Sequence, residues 1–299
     1  MSDEVLLERR GRILIITINR PEARNAVNRA VSQQLADAMD ELDGNPELSV
    51  GIVTGTGGNF SAGMDLKAFA AGEIAAVEGR GLGFTEKPPK KPLIAAVEGN
   101  ALAGGTEIVL ATDLVVASTS AKFGLPEVKR GLVAGGGGLL RLPDRIPYQK
   151  AVELALTGDT FSAEEGAGYG FVNVVAEPGQ ALDEAIRLAE RITENGPLAV
   201  AATKQILAES RSWSDEEKWK KQLDLLIPVF MSKDAAEGAK ASRRSGSRTG
   251  PAADTGREPT EQQEGNTCLS KVKSYWSPVV PGVWGRRRCG SCTPRGLRW

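Results

Sequence analysis

A repeated alternation limits the fold more than any other feature of the chain. Short apolar runs rich in β-branched residues recur along the first 180 residues, separated by turns and stretches with helical spacing. "RILIITIN" (12–19), "SVGIVTG" (49–55), "PLIAAVEG" (92–99), "DLVVAS" (113–118) and "FVNVVAE" (171–177) read as strands. Asn28 reads as the N-cap of a helix whose stripe is Val31, Leu35, Met39 and Leu42, ending at Gly44. "GGNFSAGMDLKAF" (57–69) and "NALAGGTEIVLATDLVV" (100–116) each begin as a glycine-rich turn that leads into a helix. This spacing predicts an α/β architecture with mainly right-handed crossovers.

After residue 181 the pattern is helical throughout, with segments at 181–195, 198–210 and 214–230. The last opens on "SDEE", a serine cap followed by acidic residues in the first turn.

Composition removes several function classes. The 299 residues suit roughly one or two domains. No apolar run approaches the roughly 20 residues of a membrane span. The start, "MSDEVLLERR", lacks the basic lead and apolar stretch of a signal peptide, so a cytoplasmic location is expected. There is no histidine. Histidine-based nucleophile activation, general bases and metal ligands are therefore excluded. Acid–base chemistry falls to carboxylates, lysine, tyrosine, cysteine or backbone.

The composition changes near residue 240. Residues 241–299 hold eleven Lys and Arg against four Asp and Glu, and all three cysteines: Cys268, Cys289 and Cys292. This segment is polar and rich in Gly, Pro and Ser, a composition that favours disorder. "CGSC" (289–292) has C-x-x-C spacing without a thioredoxin-like context, and the Arg286–Arg288 cluster beside Trp284 suits a solvated tail better than a nucleic-acid site. The expected division is 1–195 as the core with the active site, 196–241 as a helical oligomerisation region, and 242–299 as an atypical basic tail.

The glycine-rich "GGNFSAGMDL" is not a P-loop and lacks G-x-G-x-x-G, and "AGGGGLLRL" (134–142) does not fit that pattern either. Glycines can simply serve tight turns. Two such turns, however, place backbone N–H groups at helix starts, where donors lack intrahelical partners. If the turns converge, two donors aim at one point, as a developing oxyanion requires. Glu107 lies among Ile108, Val109, Leu110 and Ala111, where a carboxylate is costly to bury. As a first-turn acid it is favoured by the helix dipole and should lean toward the ionised form. Glu127 reads as a surface acid paired with Lys129 or Arg130, worth about 0–1 kcal/mol. With Glu107 it reads instead as half of a pair in which one carboxyl takes a proton and the other gives one.

Five motifs then appear in a familiar order. "INRPEARNAVN" (18–28), "GGNFSAGMDLKAF" (57–69), "AAVEGNALAGGTEIVLATDLVVAS" (95–118), "AKFGLPEVKRGLVAGGGGLLRLP" (121–143) and "LTGDTFSAEEGAGYGFVNVV" (156–175) resemble the crotonase, or enoyl-CoA hydratase/isomerase, superfamily. The resemblance spans roughly residues 4 to 240. It implies a spiral of ββα turns with a helical C-terminal region, assembled as trimers or pairs of trimers. It implies oxyanion donors at Met64 and Gly104 and catalytic carboxylates at Glu107 and Glu127. The CoA moiety would lie along Ala62, Met64, Asp65, Leu66, Lys67 and Gly104, with Arg24 and Lys67 toward its phosphates. The implied reaction is reversible addition of water to a 2-enoyl-CoA thioester, giving a 3-hydroxyacyl-CoA, with no metal and no cofactor beyond the CoA of the substrate. The alternatives within the fold are a double-bond isomerase or a hydratase of a specialised acyl group. Outside it, the alternative is a binding protein for acyl-CoA or nucleic acid without turnover; neither a nucleic-acid nor a membrane partner is expected. Beyond "MSKDAAEGAKA" (231–241) the chain departs from the family pattern, reading "SRRSGSRTG" instead.

Overall fold

The apolar runs are continuous because their strands are covered on both faces. The computed structural model of the protein describes residues 4–238. In chain order the strands are β1 (Val5–Arg10), β2 (Ile13–Ile18), β3 (Val50–Gly55), β4 (Leu93–Val97), β5 (Asn100–Leu102), β6 (Leu114–Ser118), β7 (Lys122–Gly124), β8 (Thr160–Ser162) and β9 (Val174–Ala176). The helices are α1 (Arg29–Gly44), α2 (Leu66–Ala70), α3 (Gly104–Leu110), α4 (Gly138–Arg145), α5 (Tyr148–Thr157), α6 (Ala163–Tyr169), α7 (Ala181–Thr193), α8 (Pro197–Glu209) and α9 (Lys218–Phe230).

One sheet runs β1-β2-β3-β4-β6-β9, parallel except for the β1–β2 hairpin. A smaller sheet runs β5-β7-β8. β4 passes to β5 through Glu98 and Gly99, and β6 passes to β7 through residues 119–121, so the chain steps from the large sheet to the small one twice. These repeated steps make the spiral that the resemblance implied.

α1 buries Val31, Leu35, Met39 and Leu42, and Asn28 Oδ1 accepts from Val31 N at 2.8 Å. That stripe joins Leu14, Ile16 and Val53 from one face of the large sheet. On the other face, Ala185, Ile186 and Ala189 of α7 cover Ile13, Ile15, Val50, Ile52 and Ile94. Each such isoleucine contributes about 1.5–3 kcal/mol of burial. Phe123, Phe161 and Phe171 stack behind the small sheet with ring centroids 5.1–5.6 Å apart.

Three details differ from the sequence expectation. β1 was not anticipated, because only Val5 of its six residues is buried and no alternation results. The strand at 171–177 shortens to β9, since Phe171 and Val172 donate to Gly166 O as the end of α6. α9 begins at Lys218 rather than Ser214, because residues 214–217 form a turn with Ser214 O accepting from Glu217 and Lys218. α8 and α9 bury no residue fully. α8 is held by Lys204, which reaches Asp113 Oδ2 at 2.6 Å and Lys91 O at 2.9 Å. Among the described residues no helix is long and apolar enough to cross a membrane. The tail from 242, with its "CGSC" and arginine cluster, lies outside the described residues.

Candidate active site

Two distant segments meet beside β5. Parallel bridges join Ser61 to Ala101 and Val27 to Met64, laying the turn around Gly63 against that strand. Gly63 has φ +88, and a Cβ there would lie 2.7 Å from both Gly104 N and Leu102 O. A Cβ on Gly105 would lie 2.4 Å from Ser61 O. Only glycine permits this approach. The Cβ position of Gly104 lies 3.3 Å from Met64 N, so the two predicted donors are neighbours. Among the described residues neither amide donates to a protein acceptor.

The direction of the Gly104 amide is set by Ala103. Its φ of +51 and ψ of −124 are strained for a residue with a side chain, at a cost of about 1–3 kcal/mol. Ala103 N donates to Gly124 O at 2.9 Å, and Thr106 Oγ1 donates to Ala101 O at 2.6 Å and accepts from Gly124 N at 3.0 Å. These bonds pin the start of α3 to β5 and β7. On the other segment, Asp65 Oδ1 caps α2 by accepting from Lys67 N and Ala68 N, while Oδ2 pairs with Arg20 Nη1 at 3.0 Å.

The parallel pairing of β5 with β7 places both glutamates at one end of the small sheet. Leu102 pairs with Gly124, and Glu107 and Glu127 follow within five residues of these partners. Glu107, 3% exposed, accepts from Gly136 N at 2.7 Å and Gly138 N at 2.9 Å, both on Oε1. Burial pushes its carboxyl above the usual carboxylate range, against the Gly138 and Gly136 amides and the charge of Arg141. This corrects the expectation that Glu107 leans toward ionisation: desolvation outweighs its position in the first helical turn. Glu127 is half-buried on the 3₁₀ turn Pro126–Arg130, and its Oε2 is buried without a protein partner. Burial raises its pKa, its own amide opposes, and the Glu107 charge raises it further. The expected pairing with Lys129 is absent, because Lys129 Nζ binds Asp159 at 2.8 Å instead.

Leu82 Cδ1 walls the site, 2.8 Å from the Cβ position of Gly104 and 3.2 Å from that of Gly136. A separate apolar groove of about 220 Å³ lies between α4 and α5, lined by Leu139, Leu142, Tyr148, Ala151 and Leu156. It includes neither glutamate and no carboxyl or amine, so the chemistry belongs to the polar site.

The model of the enoyl-CoA hydratase/isomerase family matches residues 8–245. The chain belongs to this family. It is 43% identical over 253 residues to enoyl-CoA hydratase EchA19 of Mycobacterium tuberculosis, covering 80% of this chain and 92% of that protein. It is 41% identical to a carnitinyl-CoA dehydratase of Salmonella arizonae, covering 80% and 94%. A solved enoyl-CoA hydratase from Mycobacterium tuberculosis is 68% identical, with a TM-score of 0.80 over 82% of this chain and 97% of that one.

As a member of the enoyl-CoA hydratase/isomerase family, the chain brings Met64, Gly104, Glu107 and Glu127 together. Arg24 and Lys67 are exposed on the flank of the same turn, beside half-buried Ala62 and exposed Leu66. The Asp65 carboxylate is committed to its cap and to Arg20, and its backbone N–H donates to Val27 O at 2.9 Å. Sequence reasoning did not single out Arg20 or Thr106; it weighed "AGGGGLLRL" (134–142) as a glycine-rich loop without seeing Gly136 and Gly138 as donors to Glu107 or Arg141 as their neighbour. The signal for the glycines was the run Gly135–Gly138 shortly after Glu127.

Proposed function

We propose that the protein hydrates 2-enoyl-CoA thioesters to 3-hydroxyacyl-CoA. The carrying observation is the convergence of two carboxyls, the buried Glu107 and the half-buried Glu127, beside the unpartnered amides of Met64 and Gly104. The thioester oxygen receives both amide hydrogens. Those bonds strengthen as negative charge gathers on the enolate-like transition state, which is where acceleration arises. Glu107 takes a proton from water as its oxygen bonds to C3. Protonated Glu127, holding the same water, delivers its proton to C2. The pair thus exchanges one proton and resets by passing it back. Burial raises the proton affinity of both carboxyls and the Glu107 charge raises that of Glu127 further, which favours one proton held between the pair.

The substrate brings the CoA, so the reading needs no other cofactor and no metal. The backbone of Ala62, Met64, Asp65 and Leu66 lines the CoA moiety, and Arg24 and Lys67 meet its phosphates. Assembly as a trimer or pair of trimers would cover α8 and α9, which leave Leu198, Leu207, Trp219 and Phe230 exposed.

Crotonyl-CoA hydration, followed by loss of enoyl absorbance, tests the reading. Glu107→Gln and Glu127→Gln should each lower kcat by about 10²–10⁴-fold while the protein stays folded. Unchanged turnover in both variants would refute it. Faster conversion of a 3-enoyl-CoA than of any 2-enoyl-CoA would assign isomerisation instead.

A further inference from the structure

Arg141 leaves α4 one turn after Gly138 and folds back toward the site. Its Nη2 donates to Thr85 O, and Nη1 occupies the space that a Cβ on Gly137 would need. The guanidinium therefore lies against the Gly136–Gly138 turn, whose flanking amides hold Glu107 Oε1. On its other side, Thr85 Oγ1 accepts from Leu82 N at 3.0 Å. Leu82 in turn abuts both Gly104 and Gly136. One side chain thus joins the turn that walls the site to the turn that holds the carboxylate.

The charged surroundings are few. Among the described residues, Glu127 faces Glu107 from the turn after β7, and Arg141 is the cation whose charge reaches it. Arg145, one turn further along α4, acts on Arg141 and donates to Thr112 O at 2.8 Å.

We propose that Arg141 is a positioning residue for the hydration reaction, strapping the Leu82–Thr85 turn to the Gly136–Gly138 turn and presenting its charge to Glu107 so that this carboxylate stays available as the base. The proposal rests on the hydratase reading above. Arg141 touches neither the reacting carbons nor the water; it acts through the two turns and through Glu107. The planar guanidinium bonds Thr85 O through Nη2 while Nη1 rests against Gly137; a lysine supplies the charge without that flat, two-ended span.

The test is the pH dependence of kcat/KM for crotonyl-CoA in the full chain. Arg141→Gln should move the acidic limb to higher pH, making its deficit against the parent at least about threefold larger at pH 6 than at pH 9. Arg141→Lys should leave that limb in place and lower kcat at every pH. Arg145→Gln, which removes a comparable strap from the same helix, should lower thermal stability without moving the limb. An Arg141→Gln limb that coincides with the parent's overturns the proposal, as does a lysine limb displaced from the parent's. If the glutamine variant does not fold, the lysine variant decides by the same criterion. A parent protein that hydrates no enoyl-CoA defeats the hydratase reading itself, and the proposal with it.

Discussion

Gly138 donates its amide hydrogen to Glu107 Oε1 at 2.9 Å, although 31 residues separate them. A Cβ at Gly138 would sit 3.0 Å from Glu107 Cγ, 3.1 Å from Oε1 and 3.1 Å from Leu125 Cδ1. Gly138→Ala should therefore push the carboxylate off its donors rather than simply add bulk. Displacement of a reacting group by an ångström costs on the order of 10²-fold in rate. The expected outcome is a kcat loss of about 10–100-fold with KM little changed, measured by steady-state hydration. A variant with the parent's kcat would show that Glu107 tolerates the shift.

The same carboxyl should weaken the fold at neutral pH. Its pKa is raised in the folded chain, so the folded state holds the proton more tightly than the unfolded state does. Folding stability then falls as pH climbs from the unfolded value through the folded one. Glu107→Gln keeps an acceptor for the Gly136 and Gly138 amides and removes the buried charge. It should melt higher than the parent at pH 7–8, and the difference should vanish toward pH 4. A gain of about 1 kcal/mol corresponds to about 2–4 °C at this size. Thermal unfolding across that pH range checks it, and an inverted trend would contradict the assigned environment.

Gly104 and Gly105 are adjacent, but they should fail differently. A Cβ on Gly105 would meet backbone, Ser61 O at 2.4 Å, and the two loops would have to part. A Cβ on Gly104 would first meet Leu82 Cδ1, a movable methyl, and would stand 3.3 Å from Met64 N. Gly105→Ala should lose both stability and activity. Gly104→Ala keeps its own amide but crowds Met64 N; it should stay folded and lose up to about 10²–10³-fold in kcat, the scale of a displaced oxyanion donor. Melting curves run beside turnover separate the two cases; equal loss of stability in both would put the oxyanion assignment of Gly104 in doubt.

Local chemistry was legible in the sequence, and long-range partnership was not. The α1 stripe, its Asn28 cap and the β2, β3, β4 and β6 runs follow from spacing alone, since burial on both sheet faces leaves an unbroken apolar record. The turns at Gly63 and Gly104 were legible as motifs, because only glycine fits where they touch. β5, β7 and β8 have three residues each, too few for a period to show. The proton affinity of Glu107 was misjudged, because a position in a first helical turn is local information while desolvation comes from the whole fold. Arg20 and Arg141 escaped notice for the same reason. Their partners, Asp65 and Thr85, lie 45 and 56 residues away.

Arg20 and Asp65 offer the last test, at the segment carrying Met64. Burial opposes ionisation of Asp65, but the Ala68 amide, Arg20 and the Lys67 amide outweigh it and hold the carboxyl below its ordinary value. The stability it contributes is therefore present above the unfolded pKa and is lost as pH falls through the folded one. Asp65→Asn preserves a side-chain oxygen for the α2 cap but strips Arg20 of one of its two counter-charges, leaving Glu4 Oε1 3.3 Å from Nε. A charged hydrogen bond of this kind contributes about 1.5–3 kcal/mol. The variant should be destabilised by about that much at pH 7 in urea unfolding, and the gap to the parent should close below pH 4. A gap that persists unchanged into acid would mean that the cap geometry, rather than the ion pair, is what asparagine fails to reproduce.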